Sequence, residues 1–195
     1  GMRMEGFKKE VFRLTKIDLN AYKEKQMKRR IDTLIAKNKI EGYDKYVQGL
    51  KDNKELFEEF VTEQLYSGVN GREEALRPRY SEDPYFQGFR DPKKAADAYK
   101  KWKMRIQPPA RSYLGFQPRD ADTPNLIIRG DFYESITAIP ISDGLMIVSQ
   151  GVSFSADIER KYGNVIYEIG NKAREHYVRH YMLPRIDKLI KDCGL

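Results

Sequence analysis

The two histidines of this chain, His176 and His180, stand four residues apart. On a helix that spacing puts both imidazoles on one face, where they could share a metal ion. A stable zinc site takes three or four ligands, and no cysteine or carboxylate pair is linked to them in sequence. Two surface histidines are the simpler account, and no metal is expected. Cys193 is the single cysteine, so no internal disulfide can form, which fits a reducing cytoplasm. Lying two residues from Leu195, it is also a poor candidate for a buried nucleophile. Arg129-Gly130-Asp131 spells an adhesion tripeptide, yet no apolar export segment accompanies it. A turn-forming glycine followed by a helix-capping aspartate explains the same three residues.

The motifs of nucleotide, zinc-protease and serine-hydrolase chemistry are missing, and no carboxylates pair in an apolar context that would tune one for acid–base work. The residues therefore point away from an enzyme, with no catalytic residue and no cofactor.

What remains is charge. Residues 1–50 carry 13 Lys and Arg against 7 Asp and Glu, which is most of the net +7. Lys28-Arg29-Arg30 lies in the middle of a helix expected from Ile17 to about Lys37, built from strong helix formers. Its apolar stripe, carried by Tyr22, Ile31 and Leu34, is narrow enough to pack on one side only or to wait for a partner. These six residues, Tyr22, Lys28, Arg29, Arg30, Ile31 and Leu34, are the candidate interaction surface. A basic segment of this kind can meet an acidic partner or nucleic acid.

The elements that would carry such a surface follow from periodicity. The chain has 195 residues, enough for a real core, and no apolar run approaches membrane-spanning length. Leu56, Phe57, Phe60, Val61, Gln64 and Leu65 recur as a buried helix stripe within residues 53–66, with Gly68 placed for a left-handed C-terminal cap. Asp91-Pro92 opens a second helix with Ala95, Tyr99, Trp102 and Ile106 on one face. Around it, aromatic residues such as Tyr80, Tyr85, Phe86, Phe89, Tyr113 and Phe116 pin a long loop to the domain. Gly130 breaks an apolar run, and Asp131 caps a brief turn bearing Phe132 and Tyr133. Residues 135–141 and 145–149 flank Ser142-Asp143-Gly144, a local hairpin signal. A short helix from Phe154 to Tyr162 should end at Gly163. Asn171–Lys191 reads as a long helix kinked near Tyr181 by Pro184.

The expected fold is thus α+β, with long N-terminal helices, a small antiparallel sheet with its hairpin near 143–144, and a long C-terminal helix packed on the sheet. Residues 1–50 form the basic N-terminal helical segment, and residues 51–195 a single α+β domain with a long loop insertion near 69–120. Phe57, Phe60, Leu65, Phe132, Ile136, Ile147, Ile166 and Leu189 are the expected core.

Three stretches carry a resemblance to a known family. They are Leu65–Gly71 with Leu76–Ser81, Asn125–Ser135, and Leu145–Ser149 with Lys161–Tyr167. They resemble the motifs of small phage and prophage virion proteins of the Bacteroidetes type, similar to tail-completion or head–tail joining proteins. The resemblance implies a structural protein that assembles with portal, capsid or tail subunits, in a homo-oligomeric ring, in the bacterial cytoplasm and then the virion. The alternative is a basic nucleic-acid-binding module using the N-terminal helix. No membrane partner is expected.

Overall fold

The computed structural model describes residues 52–141, 144–182 and 184. The described chain is α+β, with helices and 3-10 turns around a two-stranded antiparallel sheet. In chain order it contains α1 (Lys54–Tyr66), α2 (Pro92–Ile106), α3 (Asp131–Ser135), β1 (Ile136–Ile141), β2 (Gly144–Ser149), α4 (Ser155–Tyr162) and α5 (Asn171–Tyr177). The chain groups into two compact units. Among the described residues, one holds Glu55–Ala138 with Ile147–Gly170, and the other holds residues 52–54, 139–141, 144–146, 171–182 and 184. The N-terminal helix at 17–37 and the core expectation at Leu189 lie outside the described residues.

In the first unit, α1 is the central element. Phe57, Phe60, Val61, Gln64 and Leu65 are all buried along one stripe, as their spacing requires. Phe57 and Phe60 meet edge to face at 5.6 Å. Val61 and Leu65 join Leu76, Phe132, Ile136, Ile166 and Tyr167 in one apolar cluster. Ile147 is only partly buried and packs at the edge of that cluster.

α1 stops where Gly68 takes a left-handed conformation, φ 77°. The Val69 N–H then reaches back to the Gln64 carbonyl at 3.0 Å, and the Gly68 N–H to Leu65 at 2.9 Å. This is a Schellman cap, which satisfies the orphan carbonyls of the last turn. A side chain at Gly68 would also press on Thr123 and Arg119.

The segment 69–120 folds around a core of its own. Two 3-10 turns, Tyr80–Glu82 and Pro84–Gly88, lead into α2. Asp91 caps α2 through the Lys94 N–H, and Pro92 occupies its first turn, as the sequence predicts. Tyr80, Phe86 and Ala96 form a small buried cluster backed by Ala95 and Tyr99. Tyr85, Phe89 and Tyr113 are exposed, so only part of the aromatic set pins the segment. The buried face of α2 differs from the expected one. Ala96 and Lys103 are buried while Ile106 is exposed.

β1 and β2 flank residues 142–143 at the expected place. The Glu58 carboxylate of α1 accepts the Ala138 N–H at 2.8 Å, supplying a partner to a donor on β1. α3 begins after Gly130, whose φ is 97°. Asp131 lies inside the first turn and makes no capping bond, because the left-handed glycine already occupies the cap position. α4 ends at Gly163, as expected.

In the second unit, α5 passes into a π-helical turn at Val178–Met182. Pro184 explains this. Its ring would collide with the carbonyl four residues back and it donates no N–H, so the preceding turn widens.

Phe60 is fully buried. Phe60→Ala should cost about 3–5 kcal/mol by the lost transfer energy and the cavity left behind, read as a shift in the urea unfolding midpoint. An unshifted midpoint would contradict the burial of this stripe.

Candidate functional site

The first unit contains a cleft of about 570 Å³. Four segments build it. α2 contributes Tyr99 and Lys103, and the strand-like run after Pro124 contributes Leu126, Ile127, Ile128 and Arg129. The start of α3 contributes Phe132, and α4 contributes Phe154, Ile158, Lys161 and Tyr162. The size falls within the range of small-molecule sites, and the lining combines apolar and aromatic side chains with a few charges.

Lys103 is the unexpected member. It is 1 % exposed. Its ammonium donates to Asn125 Oδ1 at 2.8 Å and to the Ile127 carbonyl. Both acceptors are neutral, and no carboxylate among the described residues pairs with it. Burial, and secondarily the nearby Arg119 guanidinium, lower the Lys103 pKa from 10.5 to about 8. Near neutral pH the side chain therefore still carries its charge inside the protein.

The run 125–128 is held from three sides. Lys103 binds it as described, Gln107 Nε2 donates to the Ile128 carbonyl at 3.3 Å, and the Tyr133 hydroxyl donates to the Asn125 carbonyl. Leu126, between the two acceptors of Lys103, has φ 59°, a conformation that a leucine seldom adopts. Strain of this kind persists only where the surroundings over-determine the backbone, and it gathers at binding sites.

Arg119 supports the floor of this region. It is 4 % exposed and donates to the carbonyls of Thr123 at 2.6 Å and Gln107 at 3.3 Å. On the other side, Lys161 pairs with the buried Asp83 at 2.6 Å, which ties α4 to the aromatic segment. Tyr80 and Tyr162 are pushed above the usual phenol range, chiefly by burial, so both hydroxyls stay neutral.

Sequence reasoning missed Lys103 and Arg119. A signal for Lys103 exists, since Ala96, Tyr99 and Lys103 recur at i, i+3 and i+7. A lysine is not ordinarily counted on a buried stripe, so the face of Ala95, Tyr99, Trp102 and Ile106 was the natural reading, and of these Ala95 and Tyr99 do pack on the buried cluster. Arg129 lies exposed on the cleft wall. The rings of His176 and His180 lie 4.4 Å apart, and no group of three potential ligands for a metal occurs among the described residues. Tyr22, Lys28, Arg29, Arg30, Ile31, Leu34 and Cys193 lie outside the described residues.

Residues 2–63 match the family described as CheR methyltransferase, all-alpha domain. The match covers about a third of the chain and ends within α1. No curated protein and no solved structure matches the chain. The N-terminal third is therefore similar to a domain of a methyltransferase family.

This overturns the expectation of a virion protein, together with portal, capsid, tail and ring partners. The physical reason lies in the motifs that suggested it. Gly68, Gly130 and Gly163 are left-handed or positive-φ positions at helix ends. Such glycine-centred caps recur in unrelated folds, because they answer a local backbone need. The nucleic-acid alternative gains no support from the match either. On the expectation of a non-enzymatic chain, the match points toward an enzyme-related family, through its all-alpha domain alone.

Biological methyl donors of the sulfonium class are positively charged at the reacting sulfur. The Lys103 ammonium in the cleft wall repels such a charge. These residues do not fit a sulfonium donor, and we assign no methyl-transfer step to them.

Because the folded pKa of Lys103 lies below its unfolded value, the unfolded chain holds the extra proton between about 8 and 10.5. Stability should therefore rise with pH above 8, until the buried tyrosines, ordinarily at 10.0 and raised in the fold, reverse the trend. Urea unfolding across this range should show the rise in the native chain and lose it in Lys103→Met. An identical slope in both proteins would remove Lys103 as its source.

Proposed function

We propose that this chain acts in protein methylation of the chemotaxis-receptor type, with its basic N-terminal segment as the part that docks on the receptor. The match of residues 2–63 to the all-alpha domain of CheR methyltransferase carries this reading. The matched segment contains Lys28, Arg29 and Arg30 together with Tyr22, Ile31 and Leu34. A narrow apolar stripe beside a run of cations suits an amphipathic partner surface with an acidic rim. The apolar contacts supply affinity, and the charges supply orientation and association rate.

In this reading residues 1–50 are the docking module, and the α+β fold is built from the residues that follow. The helical module needs no catalytic group of its own. Its partner is an acidic helical face of a chemotaxis receptor, the class of partner that the matched family suggests.

Binding of the full chain to purified receptor cytoplasmic domains provides the test. Affinity should fall with added salt, as expected for charges within a Debye length of each other. Arg29→Glu with Arg30→Glu should weaken it by roughly tenfold or more, since like charges across an interface cost several kcal/mol. Absence of receptor binding by the native chain at low salt would overturn the proposal, as would binding that the double variant leaves unchanged.

A further inference from the structure

The cleft of the α+β unit has a property that the docking reading does not use. A buried charge is tolerated when it is paired or fully hydrogen-bonded. The Lys103 ammonium has three donors and meets two neutral acceptors, Asn125 Oδ1 and the Ile127 carbonyl. Its charge has no counterion among the described residues. The Asn125 amide nitrogen is buried as well and has no hydrogen-bond partner. Its orientation is fixed, because Asn125 presents its oxygen to the ammonium. Two buried donors thus lie on either side of one amide group, both short of an acceptor.

Lys161 is paired with Asp83 at 2.6 Å, and Asp157 with Arg160 at 2.9 Å. Arg129 and Asp131, of opposite sign, are exposed. Lys103 is thus the buried positive charge of the cleft wall without a counterion among the described residues, and the nearby Arg119, buried and bonded to carbonyls, adds to the positive potential there. Around it the wall is apolar, with Leu126, Ile127 and Ile158, and Phe154 is 41 % exposed at the rim.

We propose that this cleft binds a small organic monoanion, a carboxylate with an apolar body, whose carboxylate meets Lys103 while its body lies against Leu126, Ile158 and Phe154. The buried ammonium suits a carboxylate, and the apolar wall beside it suits an apolar body. Inorganic phosphate has no apolar body to lie against Leu126, Ile158 and Phe154. An uncharged alcohol of the same length would leave the ammonium unpaired. The left-handed Leu126 and the three-sided clamp on 125–128 hold the acceptors of Lys103 in place before any ligand arrives. Preorganisation of this kind lowers the cost of binding.

The test uses the full chain with octanoate as probe, and octanol, octylammonium and inorganic phosphate as comparisons. Octanoate should shift the backbone amide resonances of residues 126–130 and 154–162 saturably. Octanol should bind at least about tenfold more weakly, the loss of one charge-assisted contact. Octylammonium and phosphate should leave these resonances unmoved. Lys103→Met should abolish the octanoate effect. Because that change also alters the core, Phe154→Glu serves as a second variant. Phe154 is on the rim, so the fold should hold while octanoate affinity drops by roughly tenfold from like-charge repulsion.

The proposal is overturned if octanoate gives no saturable shift in the cleft, or if octanol, octylammonium or phosphate matches or exceeds it. Undiminished octanoate binding by folded Phe154→Glu would also overturn it. None of these outcomes bears on receptor docking through residues 2–63, so the two readings stand or fall separately.

Discussion

Gln64 is the constraint on which the α+β unit depends. It lies on the buried stripe of α1 and has no exposed surface. Its amide donates to the Glu168 carbonyl at 2.8 Å and accepts the Gly170 N–H at 2.8 Å. A buried amide left without partners would cost about 1–3 kcal/mol, so its two bonds fix where the chain after α4 must run. Gly71 completes the fixture. Its N–H donates to the Val165 carbonyl at 2.9 Å, and a Cβ there would overlap Glu168. With 165–170 laid against α1 and the 69–76 turn, Ile166 and Tyr167 enter the same cluster as Val61, Leu65 and Phe132.

The cleft follows from that arrangement. α4 and α3 are held by this cluster, and α2 is held by the smaller Tyr80–Phe86–Ala96 core. The run 124–130 crosses the space between them. It lacks a strand partner, so its backbone acceptors turn to side chains, and Lys103 and Gln107 answer from α2. The buried lysine is thus a consequence of an irregular run that needs donors. That same need leaves a charge in the cleft wall. The match to a methyltransferase domain covers residues 2–63, which include the basic segment and most of α1.

Much of the local structure was legible. The α1 stripe, the Gly68 cap, the Asp91-Pro92 start, the strands flanking 142–143 and the Gly163 stop all follow from short-range rules. Each depends on neighbours within a few residues, which a sequence displays directly. The similarity of residues 2–63 to a methyltransferase domain was not legible in the same way. The glycine caps that suggested a virion protein encode backbone geometry, and backbone geometry is shared by unrelated proteins. The basic segment at 23–30 had the more telling composition, but charge alone does not name a partner.

By itself, then, the sequence determined where helices and strands begin and end, because capping, periodicity and glycine conformations act locally. It also determined the basic character of residues 1–50 and excluded an internal disulfide. Only the tertiary structure decided which face of α2 is buried and that a lysine on it is desolvated. It alone brought Asn125 and Ile127 to that lysine across more than twenty residues of chain, a separation at which no periodicity operates. The rotation of the helix that buries Ala96 and Lys103 and leaves Ile106 exposed is set by what packs against it. Helical spacing offers both faces, and long-range contacts choose one.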